Sequence, residues 1–151
     1  MNHTDHHVIL RVTAKFLIPI ITLYAFYVHF HGDYSPGGGF QAGVIFAVGI
    51  ILYALIFGVV SALQLVPATF ARYLALSGFI IYGMVGVVSM LNGGNFLDYD
   101  FLYPEGPDGH HGQHYGIIAV ELGVLFAVAG SMLTIFYAFA GRAPEIDDED
   151  W

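Results

Sequence analysis

One carboxylate lies in the middle of an otherwise uncharged apolar run: Glu121 is the only charged residue between positions 116 and 140. An acid at that depth is costly unless it is paired, wet or protonated. A carboxyl group that takes up and releases a proton there is suited to proton transport. A second group of titratable residues, His29, His31 and Asp33, clusters where another apolar run ends. Histidine titrates near neutrality and suits a proton or cation path. The residues Ser35-Pro36-Gly37-Gly38-Gly39-Phe40 follow at once. Ser35 can cap a helix and Pro36 fits its first position. Three glycines opening a helix cost about 1 kcal/mol each against alanine and need a reason. Either another backbone approaches closely, or exposed N–H groups at the positive helix end face an anion, for which Asp33 is near enough. A tight turn with a helix cap is the plainer alternative.

The segment His110-His111-Gly112-Gln113-His114 carries three histidines, enough to hold zinc or copper. It is Gly-rich and matches no helical ligand pair, so no metal site is assigned to it, nor to His3, His6 and His7. His29 and His114 at similar depth could ligate a haem, but neither lies well inside its run. No cofactor is expected.

The elements that must position these residues are membrane spans. The 151 residues are 57% hydrophobic and 11% charged, with a mean hydropathy of +0.70. A soluble domain carries about a quarter charged residues. A span needs about 20 mostly apolar residues, and four stretches qualify, at about 8–30, 39–60, 73–91 and 116–140. The fold class expected is therefore an all-α membrane protein with four transmembrane helices. Residues 1–151 form a single integral membrane domain with no room for a soluble one. A barrel would show shorter, alternating segments. The first span lacks a basic leader and a small-residue cleavage site, and is read as an uncleaved anchor. With no cysteine, disulfides and iron–sulfur clusters are excluded. A net charge of −8 leaves no cationic patch for nucleic acid.

All four basic residues fall at one end of a four-span path: Arg11, Lys15, Arg72 and Arg142. The positive-inside rule then places both termini in the cytoplasm. Tyr27, Tyr34, Tyr99, Tyr103 and Tyr115 are expected in the outer aromatic belt, and Tyr73 and Tyr137 near the inner one. The five acids of the tail 145–151 read as a solvated end.

Helical phase predicts where the spans touch. Ala119, Gly123, Ala127 and Ser131 form a small-residue ridge on span four, of the kind that lets helices approach closely. Glu121 points away from it, and only the strip of Ile118, Leu122, Phe126 and Leu133 suits lipid. Span two repeats the pattern with Gly39, Gly43 and Ala47, and again with Ala54, Gly58 and Ala62. So many ridges imply partner helices from other subunits. His29, His31, Asp33, the glycine turn and Glu121 then share the outer half of the membrane, where they line or brace a half-channel.

The string His31-Gly32-Asp33, followed by Ser35-Pro36-Gly37-Gly38-Gly39-Phe40-Gln41-Ala42-Gly43, resembles the H-G-x-x-x-P-G-G-G-F-x-x-G signature of the MnhB family. The four-span plan, the length and the Gly-rich loop before span four are similar too. MnhB is the B subunit of Mrp-type multisubunit Na⁺/H⁺ antiporters. The resemblance implies a secondary transporter subunit rather than an enzyme, in the inner (plasma) membrane, beside large antiporter-like subunits. It implies Na⁺ and H⁺ as transported ions, exchanged at the expense of the proton-motive force. The alternatives are the equivalent subunit in the ion-translocating module of a membrane-bound hydrogenase, or a stand-alone metal permease or haem-binding anchor.

Overall fold

The computed structural model describes residues 3–32, 36–103 and 111–142. The described chain is helical: α1 (His3–Phe30), α2 (Gly39–Phe57), α3 (Val59–Leu65), α4 (Ala68–Leu91), a 3-10 turn (Tyr99–Leu102) and α5 (His111–Ala140). Four of these helices are long and apolar enough to cross a membrane, over Val8–Phe30, Gly39–Phe57, Ala68–Leu91 and Gly112–Ala140. Helices satisfy every backbone group internally, which hydrocarbon demands.

The boundaries differ from the apolar runs at three places. The second span stops at Phe57 because Gly58 adopts φ +95°, a left-handed conformation open to glycine, and α3 starts a new helix beyond it. The third span begins five residues earlier than the run after Arg72 suggests. Pro67 stands just before α4, and the helix accommodates Arg72 at its exposed end. The fourth starts at His111, so His111 and His114 belong to a helical first turn rather than a loop; His110 lies outside the described residues.

The helices pack in the order α1, α2, α5, α4. The contacts run through small residues. Gly39 and Gly43 of α2 lie on the α5 backbone at Glu121 and Leu125, and Ala47 below them is 1% exposed. Gly78 of α4 meets Gly123 and Ala127, and Gly130 of α5 meets Ala71 and Ala75. The ridges predicted on spans two and four are thus occupied by helices of the same chain, and they do not by themselves call for partner helices. Gly58 takes no part: a Cβ there would meet nothing within 4 Å.

A second correction concerns Leu133 and Tyr137. Both are buried, in a cluster with Ala47, Ala54, Ala62 and Ala71. Leu133 therefore does not face lipid, and Tyr137 does not join an aromatic belt. The α2–α4 connection folds onto the last turns of α5, a contact helical phase cannot reveal. There the Tyr137 hydroxyl donates to the Val66 carbonyl at 3.0 Å. Tyr137→Phe removes this bond and is expected to cost about 1 kcal/mol, seen as a lower unfolding midpoint in detergent with unchanged helix content. Tyr27, Tyr73, Tyr103 and Tyr115 are exposed, whereas Tyr99 is half-buried and Tyr34 lies outside the described residues.

Antiparallel packing brings Ala71 level with Gly130 and Gly78 level with Ala127. The start of α4 therefore lies at the end of α5, the end that carries Arg72 and Arg142. The opposite end holds the α1–α2 turn and the α4–α5 loop. That loop is seated by glycines. The Phe96 ring rests on Gly86, Phe101 on Gly94, and Tyr99 on Gly116. The Asn92 side-chain amide donates to the Phe101 carbonyl at 2.7 Å. Burial first, and then the neighbouring Tyr82 phenol, push the Tyr99 hydroxyl above the usual phenol range.

Candidate functional site

The site is built where α1 ends, α2 begins and α5 passes between the turn and α4. The end of α1 is closed by main-chain bonds: His31 N–H donates to Tyr27 O at 3.2 Å and Gly32 N–H to His29 O at 3.3 Å. After the turn the chain returns, and Gly38 N–H donates to Val28 O at 3.2 Å. A carbonyl in the last turn of α1 is thus satisfied by the residue that precedes α2. Gly38 has φ +113°, which explains glycine at that position.

Glu121 meets this turn directly. A Cβ at Gly39 would run into the Glu121 backbone, 2.8 Å from its carbonyl carbon. A Cβ at Gly38 would stand 3.0 Å from Glu121 Oε1, and one at Gly32 would stand 2.5 Å from both carboxylate oxygens. Of the two reasons for the glycine run, close backbone approach therefore holds, and the approaching element is α5. The carboxyl group beside the N-terminus of α2 is that of Glu121, from 82 residues along the chain. Asp33, expected in that place from proximity in sequence, lies outside the described residues, as does Ser35.

The step in this surface follows from helix register. Glu121 sits nine residues after Gly112, about 13 Å at 1.5 Å per residue, yet it is level with Gly39, the first residue of α2. α5 therefore extends past the ends of α1 and α2, and the Tyr99 turn packs on that extension at Gly112 and Gly116. Glu121 is deep in its own span but level with the end of its neighbours' spans. Depth counted along α5 alone places it further inside than its surroundings do.

His29 is 4% exposed, and its Nδ1 has no hydrogen-bond partner among the described residues. A buried imidazole nitrogen left so is uncommon and calls for an explanation. His31 is different: its Nδ1–H donates to Tyr27 O at 3.1 Å and its ring lies 4.1 Å from the Tyr27 ring. Pro36 is exposed, and Gly37 packs on Val28 O. Phe40 is 62% exposed and forms one wall of a cleft of about 460 Å³, with Phe79 and Tyr82 opposite and Gly123 and Ala127 in its floor. Of the residues singled out in the sequence, the structure thus brings Glu121, Gly38 and Gly39 into contact. Gly43 and Gly123 serve helix packing. Gly32 enters the sequence reading only through the family signature; its contact with Glu121 carries no signal there, because a lone glycine after a helix reads as an ordinary stop signal.

The match to known proteins covers this whole arrangement. The family model described as "Domain related to MnhB subunit of Na+/H+ antiporter" matches residues 9–134. The chain belongs to the MnhB family. It is 34% identical over 137 residues to a protein of Staphylococcus haemolyticus (strain JCSC1435) named "Putative antiporter subunit mnhB2", covering 91% of this chain and 96% of that one. Proteins of the same name from Staphylococcus aureus strains Newman and JH1 are 33% identical over 142 residues, with the same coverage. The matched region of this MnhB-family chain takes in nearly all of the first span, the second and third spans, the fourth as far as Thr134, the α1–α2 turn and Glu121.

Proposed function

We propose that the chain is a membrane subunit of a multisubunit antiporter that exchanges Na⁺ or another monovalent cation for protons across the plasma membrane, driven by the proton-motive force. Family membership supports the antiporter assignment. Within that assembly Glu121 is the titrating group this subunit contributes, and the observation that carries this is its carboxylate lying against the main chain of the α1–α2 turn. His29, buried one turn before Gly32, is the next proton acceptor; His31 and Asp33 border the same turn. The termini lie in the cytoplasm with Arg11, Lys15, Arg72 and Arg142, so Glu121 and the turn face the outer half of the membrane. The partners are the larger antiporter-like subunits and the surrounding lipid.

The test is the native mass of the tagged chain after gentle detergent extraction, with identification of the chains that accompany it. The chain itself is 16.5 kDa. A complex of hundreds of kilodaltons containing large antiporter-like chains, whose Na⁺-dependent proton release disappears when this subunit is deleted, is the expected result. Hydrogenase chains in the same peak would move the subunit to a redox-driven ion pump. A stable, unaccompanied monomer would overturn the proposal.

A further inference from the structure

We propose that Gly32 and Gly38 form a slot without Cβ atoms that positions the Glu121 carboxylate, so that Gly32 is a positioning residue for the proton chemistry; this rests on the role given to Glu121 above. The side chain of Glu121 reaches from α5 to the end of α1. At Gly32 both carboxylate oxygens come within 2.5 Å of the Cβ position and the carboxyl carbon within 2.8 Å. At Gly38 Oε1 comes within 3.0 Å and the carboxyl carbon within 3.6 Å. The carboxylate therefore lies against two main-chain segments, at Gly32 and at Gly38. Those segments are fastened by the bonds from Gly32 N–H to His29 O and from Gly38 N–H to Val28 O. Walls made of bonded main chain cannot give way as a flexible side chain does.

Gly38 is glycine for two reasons, since its φ is +113°. Gly32 has no such backbone requirement, because its φ lies outside the left-handed region. What excludes a side chain at Gly32 is the Glu121 carboxylate, an atom group that a substitution can move. Among the described residues, the other titratable side chains at this end include Tyr27, His29 and His31 on α1, Tyr82 on α4, His114 and Tyr115 on α5, and Asp98, Tyr99, Asp100 and Tyr103 in the loop. The first turns of α2 carry none.

The experiment measures antiport in everted vesicles containing the complete complex, across pH, with the amount of assembled complex measured in parallel. Gly32→Ala displaces the carboxylate, and an ångström of displacement at a reacting group costs up to about a hundredfold; a loss of at least about tenfold per assembled complex is expected. Glu121→Asp withdraws the carboxylate by one methylene and also loses rate. The double variant places the alanine methyl in the space the shorter side chain vacates. It is expected to regain wild-type rate and pH profile to within about threefold, where independent defects would multiply. Unchanged antiport in Gly32→Ala, or a double variant no better than the worse single one, overturns the slot. If Gly32→Ala does not assemble, the double variant must restore assembly, and its failure to do so also overturns it. Glu121→Gln is measured beside them. If it runs at the wild-type rate, the role of Glu121 itself is wrong. If it is inactive while Gly32→Ala is unaffected, only the slot is wrong.

Discussion

Glu121→Gln is expected to reduce antiport by about a hundredfold or more while the complex assembles to its normal level. Glutamine has nearly the shape of glutamate and fits the space beside Gly32 and Gly38, so the packing of α5 on the turn survives. It cannot bind and release a proton at the same site, and positioned proton transfer contributes about 10² to 10⁴ in rate. The loss should persist at every pH, because glutamine does not titrate in that range. Sodium-dependent dequenching of a ΔpH-sensitive dye in everted vesicles reads the effect directly. A wild-type rate with a wild-type pH profile would reduce Glu121 to a packing residue. The size of the effect separates these outcomes, since loss of a single packing contact in an assembled protein leaves the turnover of the remainder intact.

The second large effect is structural. Gly39→Ala places a methyl group on the Glu121 carbonyl, with the carbonyl carbon at 2.8 Å and Cα at 3.0 Å. Both sides of this contact are helix backbone, so neither relaxes by a rotamer change. Overpacking a tight site costs about 1–3 kcal/mol when side chains can shift, and more when they cannot. α2 and α5 must separate, which also displaces Gly43 from Leu125 and Val128. The expected outcome is a marked fall in the amount of assembled subunit, measured on a native gel or by thermal unfolding in detergent. Gly83→Ala is the control. Its Cβ would meet nothing within 4 Å, and alanine is the better helix former, so stability should be unchanged or slightly higher. Equal stability of Gly39→Ala and Gly83→Ala would show that the α2–α5 contact is looser than described.

The reason for the glycine run was legible only as three alternatives: close backbone approach, an anion at the helix end, or a plain capped turn. Sequence proximity pointed to Asp33 as the anion near the start of α2, whereas Glu121 of α5 occupies that place. Proximity along the chain is a poor guide here, because antiparallel helices bring together residues far apart in sequence. The seating of Phe96, Tyr99 and Phe101 on Gly86, Gly116 and Gly94 had no sequence signal at all. A glycine that receives a ring looks like any other helix or loop glycine.

The class of the molecule is written in its residues: four apolar runs, an all-helical membrane architecture, basic residues at one end and a family signature at the α1–α2 turn. Those properties follow from local composition, because hydrocarbon admits only segments that satisfy their own backbone and cover themselves with apolar side chains. Which helices are neighbours emerges only from their packing. That packing turned the small-residue ridges of α2 and α5 inward on each other and on α4, buried Leu133 and Tyr137 beneath the α2–α4 connection, and set Glu121 against Gly32 and Gly38. The physical reason is that between lipid-embedded helices the apolar driving force is weak, since lipid is as apolar as leucine. Neighbours are then chosen by how closely backbones fit, a property of paired surfaces that no single segment contains.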